Sequence, residues 1–203
     1  MTDRLPATED GLGRAASILS DGGLVAFPTD TVYGVGCAAS HPESVPAIFE
    51  LKQRPIDRLI PMLVSDLASI SREAWIVDER AAILADAFWP GALTLILPAR
   101  DGSGSQAFRA PDHPVALALI RVAGPLYVTS ANLSDQPETL DADDVLIAFA
   151  TQRDGLAAVV DGGRVPGGVA STVLDLTAEP ARILRAGPVS PEALARVVEL
   201  AAD

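Results

Sequence analysis

The chain has 203 residues, 49% of them hydrophobic and 21% charged, a composition typical of a globular protein that buries a sizeable core. Its net charge of −12, from 15 basic and 27 acidic residues, argues against a surface that binds nucleic acid through broad phosphate neutralisation. The single cysteine, Cys37, excludes an intramolecular disulfide, and with two histidines it supplies too few ligands for a structural zinc site.

Apolar spacing predicts helices that alternate with short buried strands along the whole chain. In chain order the pattern predicts helix 12–19, strand 24–27, helix 42–51, strand 60–64, helix 78–88, strand 93–97, helix 114–122, strand 126–129, helix 141–150, strands 157–160, 172–176 and 182–184, and helix 191–202. No linker, repeat or low-complexity tract interrupts this order, so we expect residues 1–203 to form one α/β domain.

The start of the chain, MTDRLPATED, is acidic and lacks the apolar run of a signal peptide. No stretch approaches the ~18 apolar residues that a membrane-spanning helix needs. We therefore expect a cytoplasmic protein with no membrane partner.

Polar or basic loops adjoin most of the predicted strands, and ligands of open α/β sheets bind at strand ends. The loops are PTDTVYG after Phe27, KQRPIDR before Ile60, FRAPDHP around Arg109, TSANLS after Val128, ASTV at Ser171 and ILRAG at Arg185. Taken singly, each is also compatible with a turn or a surface salt bridge. Together they supply one lysine, several arginines and several hydroxyl or amide groups, which suits a polyphosphate and a small zwitterion.

Other catalytic motifs are weak or absent. Two glycine patterns, GLGRAA from Gly11 and GVGCAA from Gly34, do not follow predicted strands as a dinucleotide-binding loop would. The sequence has no glycine-rich phosphate loop before Lys52 and no G-x-S-x-G serine motif. We interpret His41 and His113 as surface or capping residues.

The ordered segments PTDTVYGVG, KQRP, FWPGALTLIL, RAPDHP, TSANLS, STVLDLT and ILRAG, between about Gly22 and Gly187, resemble the YrdC-like family in its short single-domain form. The resemblance implies a twisted open sheet, mostly parallel or mixed, with helices on both faces and a deep concave site. It also implies a nucleotidyltransferase that makes threonylcarbamoyl-AMP and pyrophosphate from L-threonine, bicarbonate and ATP, for the threonylcarbamoyladenosine modification of tRNA. The partners it implies are downstream threonylcarbamoyl-transferring proteins, with direct tRNA binding weak or absent.

The resemblance also implies which residues bind each substrate. Threonine or its carbamate is assigned to Thr31, Arg109, Ser130 and Ser171. ATP is assigned to Lys52, Arg54, Arg58, Ser105, Asn132 and Arg185, with Lys52 and Arg54 as the catalytic residues. Mg²⁺ is expected to come with ATP, bound mainly by phosphate oxygens and water rather than by a dedicated protein site.

Some positions depart from the family pattern. Leu63 stands where some members have histidine, Leu140 where threonine is frequent, and Ala170 where an acidic residue is usual. Asp135 replaces the glycine that would follow TSANLS, and it puts a carboxylate near the expected triphosphate.

Two alternatives remain open at the level of sequence. A non-catalytic RNA-binding module of the same fold is disfavoured by the charge of −12. An enzyme of this fold that uses another carbamoyl donor, such as carbamoyl phosphate, is distinguishable by omitting each substrate in turn.

Overall fold

A computed structural model describes residues 2–53, 60–134, 136–152 and 155–202. The strands in this part of the chain are β1 (Asp3–Pro6), β2 (Val25–Pro28), β3 (Tyr33–Ala38), β4 (Met62–Leu63), β5 (Leu93–Pro98), β6 (Ser105–Arg109), β7 (Leu126–Ser130), β8 (Ala158–Asp161), β9 (Thr172–Asp175) and β10 (Arg182–Arg185). The α-helices are α1 (Glu9–Ser20), α2 (Val45–Lys52), α3 (Glu79–Phe88), α4 (Pro114–Ala123), α5 (Ala142–Ala148) and α6 (Pro191–Ala195).

The strands form one mixed sheet in the order β1-β8-β2-β3-β7-β4-β6-β5-β9-β10. Strand β8 is parallel to β1 and β2, β4 is parallel to β6, and β5 is parallel to β9. The other neighbouring pairs are antiparallel. The α/β class is confirmed, and of the two arrangements expected, mostly parallel or mixed, the sheet is mixed.

The difference arises from strands that apolar spacing does not predict. Strand β3 follows β2 through Thr29–Val32, and β6 follows β5 after a short turn, so each reverses direction and pairs antiparallel with the strand before it. The GVGCAA segment lies in β3, where a Cβ on Gly36 would lie 2.1 Å from the carbonyl oxygen of Tyr127. Its glycines therefore allow β7 to approach closely, and the pattern is a packing feature of the sheet.

Four of the α-helices in the described ranges begin at side-chain caps. Thr8, Asp78, Asp141 and Ser190 each accept a hydrogen bond from a backbone N–H in the first turn of α1, α3, α5 and α6. The last helix ends at Ala195, earlier than the apolar spacing predicts. No helix in the described ranges is long and apolar enough to cross a membrane.

Helices cover both faces of one half of the sheet. Along β2, Ala26 packs with α2 and α5, while Val25 and Phe27 pack with α1 and α4 on the opposite face. Successive side chains of a strand point to opposite faces, so this alternation shows a sheet sandwiched between two helical layers.

The other half of the sheet has a helical layer on one face. Leu95 of β5, Phe108 of β6 and Leu174 of β9 pack in one apolar cluster with Leu84 of α3 and Leu194 of α6. The side chains between them face the other way and line a cavity: Thr94, Ile96, Ala107, Arg109 and Val173. The fold thereby places two polar strand residues, Thr94 and Arg109, among apolar ones on a concave surface.

Candidate functional site

The cavity on this face has a volume of about 390 Å³. Strands β3, β4, β5, β6, β7, β9 and β10 contribute to its lining, together with the segments that follow β2 and β7 and that precede β4 and β9. Its polar lining consists of Thr29, Thr31, Thr94, Arg109, Thr129, Ser130, Glu138, Ser171 and Arg185. The rest of the lining is mostly aliphatic, which suits a ligand with polar ends and exclusion of water.

Half of the residues assigned by resemblance meet in this cavity. They are Thr31, Arg109, Ser130, Ser171 and Arg185, which come from separate segments of the chain. Their positions are consistent with a shared ligand, and their individual roles toward threonine and ATP stay predictions.

Arg109 is held on three sides at one wall of the cavity. Its Nε donates to the carbonyl oxygen of Gly91 at 2.9 Å, its Nη2 to Asp30 at 2.5 Å, and its Nη1 to the hydroxyl of Thr31 at 3.4 Å. The Thr31 hydroxyl also contacts that of Thr29 at 3.1 Å. A guanidinium has five N–H groups, so one remains on each terminal nitrogen, and these two can bind one carboxylate end-on.

Asp30 is a residue that the loop motifs did not single out. Its side chain is 15% exposed and that of Arg109 is 9% exposed, so the ion pair is largely withdrawn from water. The available signal was its place in PTDTVYG between two threonines of the site, but the sequence does not show that Arg109 reaches it.

Arg185 occupies a second polar wall with Ser171 and Thr94. Its Nε and Nη2 donate to the carbonyl oxygen of Ser171 at 3.0 and 2.8 Å, and Nη2 also contacts the Ser171 hydroxyl at 3.1 Å. The hydroxyls of Thr94 and Ser171 are 2.8 Å apart and buried. Burial and the nearby charge of Arg109 lower the pKa of Arg185 from its ordinary value. Within the described ranges Arg185 forms no ion pair.

Lys52 lies at the end of α2 and is buried. Its ammonium donates to the carbonyl oxygens of Ser130 and Asn132 and lies 3.3 Å from the Asn132 side-chain oxygen. The Asn132 amide donates in turn to the carbonyl oxygen of Gln136 at 2.6 Å. Lys52 and Asn132 therefore fix the turn after β7 that places Ser130 in the cavity, and their contact with phosphate stays a prediction.

The remaining assigned residues lie away from the cavity lining or outside the residues that the structure describes. Ser105 begins β6, shares a face with Arg109 by alternation, and is not part of the cavity lining. Arg54, Arg58 and the unusual Asp135 lie outside the described residues.

The remaining departures from the family pattern have definite places. Leu63 and Ala170 line the cavity with apolar groups, and Leu140 packs against the core on the α2 and α5 side. Glu138 supplies the one carboxylate of the lining as the described residues form it.

Comparisons with known proteins support the family resemblance of the sequence. The family model Sua5_yciO_yrdC, described as "Telomere recombination", matches residues 17–187. Threonylcarbamoyl-AMP synthase of Bacillus subtilis is 39% identical over 209 residues, covering 98% of this chain and 59% of that protein. A putative threonylcarbamoyl-AMP synthase of Mycobacterium tuberculosis is 37% identical over 196 residues, covering 93% of this chain and 89% of that protein.

Among solved structures, that of P. abyssi Sua5 complexed with L-threonine matches with a TM-score of 0.88 and 34% identity, covering 99% of this chain. This chain spans 62% of that protein and 59% of the B. subtilis relative. The similarity extends over nearly all of the sequence described here, while the longer relatives continue beyond it.

Proposed function

The chain belongs to the Sua5_yciO_yrdC family, and we propose that it is a nucleotidyltransferase that makes threonylcarbamoyl-AMP and pyrophosphate from L-threonine, bicarbonate and ATP. The observation that carries the proposal is the cavity of about 390 Å³ that joins Arg109 and Arg185 with hydroxyl groups from separate segments. A cavity of this size with a few convergent polar groups is typical of a small-molecule site.

The reaction needs no side-chain nucleophile. The neutral amine of threonine combines with bicarbonate, or the CO2 derived from it, to form a carbamate and release water. A carbamate oxygen then attacks the α-phosphorus of ATP, and the bond to the leaving pyrophosphate breaks. The protein therefore has to position the two reactants, stabilise charge and keep water from the carbamate.

The residues assigned to the two substrates suit these tasks. Arg109, oriented by Asp30 and Gly91, has N–H groups left for the carboxylate of threonine. Lys52 holds the turn that carries Ser130, and we assign it, with Arg54, to the charge of the transferring phosphate. Asn132 and Arg185 complete the nucleotide side of this assignment, with Arg58 and Ser105 as further phosphate contacts.

Magnesium enters this proposal as part of the MgATP substrate. No group of three or more histidine, cysteine, aspartate or glutamate side chains forms a metal cage among residues 2–53, 60–134, 136–152 and 155–202. Asp30 is paired with Arg109, and Glu138 is the carboxylate left in the described lining. This donor set fits an ion held mainly by phosphate oxygens and water.

The proposal also places the protein in the cytoplasm, upstream of proteins that transfer the threonylcarbamoyl group to tRNA. We expect direct tRNA binding to be weak or absent, because the net charge of −12 opposes contact with phosphate.

Pyrophosphate release from purified protein tests the proposal. Turnover is expected only when ATP, magnesium, bicarbonate and threonine are all present, with threonylcarbamoyl-AMP as the second product. Release that ignores threonine or bicarbonate would overturn the proposal. Turnover with carbamoyl phosphate in place of bicarbonate would instead favour an enzyme that uses another carbamoyl donor.

A further inference from the structure

Thr29 begins the turn that carries two of the partners of Arg109. The chain leaves β2 at Pro28 and enters the antiparallel strand β3 at Tyr33, so residues 29–32 form the whole connection. Thr29 is buried and lines the cavity, but it is not among the residues that the resemblance assigns to a substrate. Its hydroxyl donates to the carbonyl oxygen of Val32 at 2.7 Å, and its backbone N–H donates to the same oxygen at 3.1 Å. These two bonds from one residue close the turn.

The hydroxyl oxygen of Thr29 also accepts hydrogen bonds from inside the turn. The backbone N–H groups of Thr31 and Val32 donate to it at 3.3 and 3.4 Å, and the hydroxyl oxygen of Thr31 lies 3.1 Å away. A threonine hydroxyl has one proton, and that of Thr29 is used by the carbonyl of Val32, which can only accept. Between the two hydroxyls, Thr31 is therefore the donor and Thr29 the acceptor.

The turn in this way holds Asp30 and Thr31 against Arg109. Nη2 of Arg109 donates to Asp30 at 2.5 Å, and Nη1 donates to the Thr31 hydroxyl at 3.4 Å. Because Asp30 and Thr31 are consecutive residues, the conformation of one turn sets both contacts. The Thr31 proton, which Thr29 accepts, can rotate toward an anion on the guanidinium while the heavy atoms stay in place. The bond between Thr29 and Val32 therefore supports the whole set of donors around Arg109.

We propose that Thr29 is a positioning residue for the threonine substrate, because the turn that its hydroxyl closes fixes the partners of Arg109. This inference rests on the function proposed above and on the assignment of Arg109 to the carboxylate of threonine. The residues assigned to the nucleotide are held elsewhere: Arg185 bonds to Ser171, and Lys52 bonds to the turn after β7. Loss of the Thr29 hydroxyl is therefore expected to affect threonine more than MgATP.

The test compares two substitutions at this position. Thr29→Val keeps the shape and removes the hydroxyl, whereas Thr29→Ser keeps the hydroxyl. We expect Thr29→Val to lower kcat/KM for threonine about tenfold, as for the loss of one buried hydrogen bond, and Thr29→Ser to retain the wild-type value. The Kd of L-threonine, measured by calorimetry, is expected to weaken by a similar factor in Thr29→Val, while the KM for MgATP stays unchanged in both variants.

Thr172→Val is the matched control. The hydroxyl of the buried Thr172 also donates to a backbone carbonyl and accepts from a backbone N–H, both of Val189, at 2.8 and 3.1 Å. Alternation along β9 places Thr172 on the face opposite to Val173 and the cavity. This variant is expected to lose stability without a change in kcat/KM for threonine. Thermal unfolding of all variants sets an assay temperature below the lowest Tm, and Thr29→Ala removes the same hydroxyl should Thr29→Val not fold.

The outcomes are distinct. Unchanged threonine affinity in Thr29→Val, equal losses in Thr29→Val and Thr29→Ser, or an equal loss for MgATP would each overturn the role of Thr29. The same loss of kcat/KM for threonine in Thr172→Val would overturn it as well, because any buried hydroxyl would then have this effect. A wild-type protein that binds no L-threonine, or that releases pyrophosphate without it, would overturn the proposed function itself. The threonine dependence of the wild type is therefore measured first.

Discussion

We expect the ion pair between Asp30 and Arg109 to contribute measurably to the free energy of unfolding. It is the most buried of the ion pairs in the described part of the chain, with side chains 15% and 9% exposed. Asp30→Ala leaves the guanidinium in place with two remaining acceptors, the carbonyl of Gly91 and the hydroxyl of Thr31. A largely buried charge then lacks a counter-charge.

Removing one member of a buried pair costs about 3–5 kcal/mol. Because Arg109 keeps two acceptors, we expect the low end of this range, about 3 kcal/mol of unfolding free energy. For a protein of this size, that loss corresponds to a fall in Tm of roughly 6–12 °C. Asp30→Asn keeps an oxygen acceptor for Nη2 and is expected to lose less.

Urea unfolding of wild type, Asp30→Ala and Asp30→Asn measures the effect. The control is Asp3→Ala, which breaks an ion pair with Arg14 whose side chains are more than half exposed, and which should change stability little. A loss in Asp30→Ala no larger than that in Asp3→Ala would refute the reasoning. Partial recovery of stability in a double variant with Arg109→Met would support it, because the unpaired charge is then gone.

Three further predictions follow from other contacts. Lys52→Met removes the bonds to the turn at Ser130 and Asn132, and we expect at least about tenfold slower pyrophosphate release, together with lower stability, checked by kinetics and thermal unfolding. Tyr33→Phe removes a buried hydroxyl that donates to the carbonyl of Gly163 at 2.7 Å, and urea unfolding should show a loss of about 1 kcal/mol. Burial lowers the pKa of His113 below its ordinary value of 6.5. The stability that the neutral imidazole contributes is therefore complete above pH 6.5 and is lost as the pH falls through the pKa of the folded state. We expect His113→Gln to show a smaller fall in Tm on acidification than the wild type.

Local sequence patterns identify much of the fold. Strands β2, β5 and β7 and helices α1, α3 and α4 lie where apolar spacing predicts them, because burial on one or both faces imposes a regular pattern. Strand β3 is missed because its glycines and its place after a polar loop are typical of a turn. Strand β6 is missed because its polar ends, Ser105 and Arg109, hide a short buried run.

Sequence patterns identify the candidate site less completely. The loops around Thr31, Ser130 and Ser171 stand out because hydroxyl groups collect at strand ends there, and the structure brings them to one cavity. Thr94 falls in the segment FWPGALTLIL, but a single threonine in an apolar strand has no pattern that marks it as a residue of the cavity. Asp30 does not stand out either, because nothing in the sequence distinguishes it from the other acidic residues of the chain.

By itself, the sequence determines the α/β class, most helices and strands, the order of the polar loops and the family. The tertiary structure alone decides that Arg109 is paired with Asp30, 79 residues away, and that Thr94 meets Ser171, 77 residues away. Such contacts depend on which strands become neighbours across the mixed sheet. Local spacing encodes which face of a strand a side chain takes, whereas the order of the strands is set by the packing of the whole chain. The charges that surround Arg109 and Arg185 therefore appear only in the folded structure.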